Sequence, residues 1–106
     1  MKLQKLKEKL EQGFYVDNLY EMSRLCKDMA LEINNPVPFF IMQKIFSGIA
    51  DYWDERPVSV EEAKLVEAQM VKPLRELIDA IEVEASGEQI SNLLNKLVSS
   101  YLFLCK

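Results

Sequence analysis

A chain of 106 residues, 49% hydrophobic and 28% charged, is long enough for one real core and too apolar to be disordered. Its net charge of −4, with no long basic stripe, argues against nucleic-acid binding, and its longest apolar runs, "FFIM" and "YLFLC", are far too short to span a bilayer. Three glycines and four prolines leave little turn material for many short strands, so the composition leans towards helices.

The first helical segment runs from about Lys2 to Gln12, with Leu3, Leu6 and Leu10 on one narrow stripe. Gly13 suits the position just past its end, and Phe14 can pack back on the last turn. Residues 1–13 carry four lysines against two glutamates, interleaved as on a solvated helix face. So thin a stripe needs another surface, either in the same chain or on a second one.

The second segment opens at Asp17 or Asn18, both suited to an N-cap, and stops at "NNP". At about 100° per residue, Leu19, Met22, Leu25, Cys26, Met29, Ala30 and Ile33 share one face. Tyr20 and Leu31 fall on the opposite side, three turns apart and in line. The third segment enters through Pro36 and Pro38, which a helix start tolerates. Phe39, Met42, Ile45, Phe46, Ile49 and Trp53 form its centre, and its wide apolar arc predicts the most buried helix of the chain.

The fourth segment has a clean start: "SVEE" places Ser59 at the N-cap and Glu62 at N3, a capping box. Ala63, Val66, Met70, Leu74, Leu77 and Ile81 share a face through about Val83. Pro73 cannot donate to the carbonyl of Gln69, and the unbroken phase of the stripe predicts a kink there. The fifth segment opens at "SGEQ", again a capping box, and runs to the C-terminus. Its face is Ile90, Leu93, Leu94, Leu97, Val98, Tyr101, Leu104 and Cys105, while Leu102 and Phe103 lie off it. The expected fold is all-α, an antiparallel four-helix bundle over residues 14–106 with a short N-terminal helix over residues 1–13 and one long helix kinked at Pro73.

Chemistry is thin. There is no histidine, so the commonest general base and every Ser-His-Asp or Cys-His pairing are missing. Glycines 13, 48 and 87 are isolated and build no phosphate loop. The two cysteines, at 26 and 105, share no metal-ligand spacing and read as buried hydrophobes, free in a reducing cytoplasm. The start lacks the apolar stretch of a secretory signal. No catalytic residue, cofactor or metal is expected, and no motif points to a family.

What the pattern does suggest is binding. Tyr20, Leu31, Leu102 and Phe103 are apolar residues without a place on their helices' core stripes, and they predict an interface with another protein, including a homodimer. A second candidate is the corner "DYWDERPVSVEE". Asp51, Asp54 and Glu55 crowd the C-terminal end of the third helix, where each acid costs about 0.3–1 kcal/mol against the helix dipole. Asp51 and Glu55 are also like charges at i,i+4. Only Arg56 offsets them. The functional reading is a site for a basic partner segment, with Tyr52 and Trp53 as apolar anchors; the bland one is a solvated acidic turn. The alternative class is a small-molecule sensor or carrier with a pocket near Gly48 and Pro73, and a carboxylate-based enzyme comes third.

Overall fold

The computed structural model describes residues 2–32 and 36–104, and it forms five helices: α1 (Lys2–Glu11), α2 (Val16–Glu32), α3 (Val37–Glu55), α4 (Val60–Glu82) and α5 (Gly87–Leu104). Among the described residues there is no strand. The all-α bundle read from the sequence is the fold of the protein.

Local chemistry sets most helix ends. The Ser59 hydroxyl accepts the Glu62 amide at 3.1 Å and opens α4. At α5 the capping box is reciprocal: Ser86 Oγ accepts from the Gln89 amide at 3.2 Å, and Gln89 Oε1 accepts from the Ser86 amide at 3.3 Å. Pro36 and Pro38 flank the start of α3. Past the end of α4, the Glu84 amide donates to the Ile81 carbonyl and the Ala85 amide to the Ala80 carbonyl, at 3.1 and 2.9 Å. That pair of bonds is a Schellman cap, and it holds Glu84 at φ +55°, a left-handed conformation more usual for glycine.

The start of α2 departs from the sequence reading. The helix begins at Val16, so neither Asp17 nor Asn18 caps it. Asn18 is buried inside the first turn and reaches back to α1 instead. Its Nδ2 donates to the carbonyls of Lys9 at 2.8 Å and Gly13 at 2.7 Å. At the end of α1 the Lys9 carbonyl thus accepts from both the Gln12 amide, at 3.1 Å, and the Asn18 side chain. Gly13, at φ +100°, makes the turn, as expected for the position past the helix end.

α2 packs along α3 and α4 along α5, α1 bridges α2 and α4, and α5 meets α3 more lightly. The consecutive helices α3 and α4 are not an extensively packed pair. The core runs from Leu6 and Leu10 of α1 through Phe14, Leu19, Met22, Cys26 and Met29 to Phe39, Met42, Ile45, Phe46 and Ile49. The rings of Phe14 and Phe46 meet edge to face at 6.4 Å. Helix α3 contributes the most buried residues, as its wide apolar arc predicts.

The partner of the thin leucine stripe is the chain itself. Leu6 and Leu10 are buried, each burial contributing about 1.5–3 kcal/mol. On one flank of α1, Lys2 pairs with Glu32 and Lys9 with Glu21, both on α2. On the other, Lys7 pairs with Asp79 at 3.3 Å and Glu82 at 3.0 Å, and Glu11 with Arg75, all on α4. Three of the four lysines of α1 are therefore matched to acids on its two neighbours.

α4 is continuous through Pro73, but its two halves differ. Met70, Leu74, Leu77 and Ile78 are buried, whereas no residue from Val60 to Gln69 is. At α5 only Leu97 is fully buried; Ile90, Leu93, Leu94, Tyr101 and Leu104 pack in part. Ile33 and Cys105, assigned to core faces from sequence, lie outside the described residues.

Candidate functional site

Where α4 begins and α5 ends, an apolar cleft of 390 Å³ opens between these helices and α3. Ile49 and Trp53 of α3, Val66 of α4 and Leu104 of α5 supply its apolar walls. Tyr101 of α5 stands against Gly48 of α3, its hydroxyl occupying the space that a Cβ would need. Gly48 therefore serves a close approach between helices, and the same approach leaves it on the cleft wall.

Trp53, on the centre line of α3, is buried, being only 7% exposed. It forms part of the floor and separates this cleft from a second hollow of 450 Å³, lined by Phe14, Val58 and Ala63 among others. The exposed aromatic is Tyr52, at 53%, with the Arg56 guanidinium 5.7 Å from its ring centre. Glu62 stands exposed on the α4 side. Tyr52 and Glu62 leave the cleft open to solvent rather than sealed.

The acids of the corner divide by role. Asp51 accepts a hydrogen bond of 2.6 Å from the Tyr20 hydroxyl, tying α3 to α2. That bond, partial burial and the charges of Asp51, Asp54 and Glu55 push the Tyr20 phenol up to about 12. One acid at the helix end is thus an acceptor for a neighbouring helix, which explains its position structurally. Asp54, Glu55, Glu61 and Glu62 are exposed and make no ion pair among the described residues. Glu55 follows Tyr52 by one helical turn, whereas Asp51 is turned towards Tyr20 of α2. Of these acids, Glu62 lines the cleft.

No family model matches this chain, and no curated protein or solved structure is detectably similar to it. The reading of the site therefore rests on its own residues.

The four apolar residues expected at an interface are not alike. Tyr20 is half-buried with its hydroxyl engaged by Asp51, so it faces α3. Leu31 is 79% exposed, so α1 does not cover the line it shares with Tyr20. Leu102 and Phe103 are exposed between Tyr101 and Leu104, the two residues that turn into the cleft. Pro73 lies apart from Gly48, in a shallow groove with Lys72, Glu76, Asn92 and Lys96, so the two do not share a pocket.

Sequence reasoning missed Val66, Glu62 and Leu104 as cleft residues. Val66 and Leu104 sit on ordinary core stripes, and nothing in the pattern tells that those stripes end unburied. Cys26 is fully buried, and burial pushes its thiol up to about 12, far from a reactive thiolate. Among the described residues no group of three His, Cys, Asp or Glu side chains could hold a metal ion. Among the described residues no helix is long and apolar enough to cross a membrane.

Proposed function

We propose that this chain is a non-enzymatic interaction module that docks another protein in the cleft between α3, α4 and α5. The observation that carries the reading is the gap between two consecutive helices, floored by Ile49, Trp53 and Val66 and open at Tyr52. Apolar surface of this kind is costly to leave in water unless something covers it. The radius of gyration, 13.1 Å, equals the value of about 13 Å for a compact chain of this length, so the cleft is a feature of one packed body. A second reading, a small-molecule carrier, draws on the cleft volume, which falls within the roughly 300–1,000 Å³ of ligand pockets. The open edge and the few converging polar groups favour a protein.

Affinity capture from the native cell, using wild type and Val66→Arg side by side, separates these. The docking reading expects one or more proteins retained by wild type and lost from the variant, with both chains equally helical by circular dichroism. Equal protein capture by both chains refutes it. A small molecule retained by wild type alone transfers the cleft to the carrier reading.

A further inference from the structure

One helix of this molecule is held unlike the others. α1 is seated on α2 and α4 by two buried leucines and by charge, and every ion pair among the described residues has one end on it. Residues 1–13 carry a net charge of +2, while the rest of the chain carries −6. A positive helix is attracted to so negative a body, whichever copy of the chain that body belongs to.

We propose that two copies of this chain exchange α1, each seating Leu6 and Leu10 in the seam between α2 and α4 of the other. The turn at Gly13 sets the balance between the closed monomer and the exchanged dimer. The seam is not the cleft, so this goes beyond the docking reading and is tested apart from it. Three observations carry it.

The first is the seat. α2 is backed by α3 and α4 by α5, whereas α2 and α4 are not themselves an extensively packed pair. Each wall of the seam therefore has a support other than α1. The second is charge. Glu21 and Glu32 on one wall and Asp79 and Glu82 on the other receive Lys9, Lys2 and Lys7, and Arg75 receives Glu11. A second copy supplies the same leucines and the same charges in the same order, so exchange remakes every one of these contacts. The two forms then differ in the turn and in protein concentration rather than in the seam.

The third is the hinge. Only the four residues 12–15 join α1 to α2, and short hinges invite exchange because opening relaxes a tight turn. Gly13 stands at φ +100°, in the region that favours glycine, and a Cβ there would lie 2.8 Å from Glu67 Oε1. The same oxygen accepts the Phe14 amide at 3.0 Å. Glu67 thus clips the turn shut on the α4 side. Opening takes place before Phe14, whose buried ring stays against Phe46.

Gly13→Ala strains the closed turn and leaves the seam untouched. Size-exclusion chromatography with light scattering should show a dimer of the wild-type chain at high concentration, and the variant should dimerise about tenfold more tightly. Gly87→Ala, where an added Cβ meets nothing within 4 Å, should behave as wild type.

A mixed pair locates the contact. Lys7→Glu in one chain, and Asp79→Lys with Glu82→Lys in another, each set like charges across their own seam. Exchange in the mixture restores opposite charges at both seams. The mixture should form a heterodimer in excess of any dimer of either chain alone, and salt should reduce that excess. Circular dichroism shows whether each chain keeps its helices. Should a charge-reversed chain unfold, Lys7→Cys and Asp79→Cys chains are mixed and joined with a short bismaleimide instead. Mass spectrometry should then find residue 7 of one copy linked to residue 79 of the other, with the buried Cys26 unmodified.

Monomers at every concentration and in every mixture overturn the inference. A dimer indifferent to the charge pairing, or linked copies without the bridge from residue 7 to residue 79, overturns it too, because the contact then lies outside the seam. So does a Gly13→Ala chain that dimerises no more tightly than wild type.

Discussion

The two halves of α4 are built from similar residues and end in different states. From Met70 to Glu82 the helix is clamped: Leu74, Leu77 and Ile78 are buried, and Arg75, Asp79 and Glu82 pair with α1. From Val60 to Gln69 nothing is buried, Leu65 is 63% exposed, and Glu61 and Glu62 face water unpaired. Glu67 is the exception in the loose half, accepting the Phe14 amide at 3.0 Å. The difference teaches that amphipathic periodicity marks which face can be buried, while neighbours decide whether it is. α1 and α5 close on the later half. No helix closes on the earlier half from the α3 side, and that is where the cleft opens.

The largest test of the contrast is a pair of truncations. Leu74→Ala should cost about 2–5 kcal/mol in urea unfolding, because it leaves a cavity in a closed core. Leu65→Ala, on the exposed side of the loose half, should change stability by less than about 0.5 kcal/mol. Similar losses at both positions would erase the distinction between the halves.

Pro73 stands near the boundary and sharpens it. It leaves the Gln69 carbonyl without its usual donor, at the last residue of the loose half. Pro73→Ala should keep stability level or raise it by up to about 3 kcal/mol. In hydrogen exchange, wild-type amides of residues 64–69 should exchange faster than those of 75–82, and the substitution should slow the former. Unchanged exchange there would mean that the missing neighbour, not the proline, sets the loose half apart. A large loss of stability would show that the fold depends on the proline's own shape.

The smallest effect concerns the corner acids. Tyr20 has its phenol raised from 10 to about 12, chiefly by its bond to Asp51. A raised folded value favours the neutral phenol, so its contribution is fully present below about pH 10 and lost as pH rises through 12. Lys2 and Lys7, also raised by their carboxylate partners, lose their pairings in the same direction. Tyr20→Phe isolates the phenol: wild type should lose more stability than the variant between pH 10 and 12, followed by thermal unfolding. Parallel curves would show that the Tyr20–Asp51 bond does not couple α2 to α3.

Read alone, the sequence determined the number of helices, nearly all of their ends and most of the core. Those features are local: Ser59 and Ser86 cap the turns that follow them, Gly13 alone of its neighbours takes a positive φ cheaply, and the stripes repeat at the helical period. Tertiary structure decided what those stripes meet. Asn18 looked like a cap for its own helix and closes the previous one, because the turn at Gly13 folds α1 back within its reach. Asp51 looked misplaced at a helix end until Tyr20 approached it from α2. Trp53 lies on the core stripe of α3, but its place in the floor between two hollows follows from its neighbours, as does the close approach of the Tyr101 hydroxyl to Gly48 from fifty residues away. Such contacts depend on which helices pack side by side, and a 3.6-residue period carries no information about the neighbour.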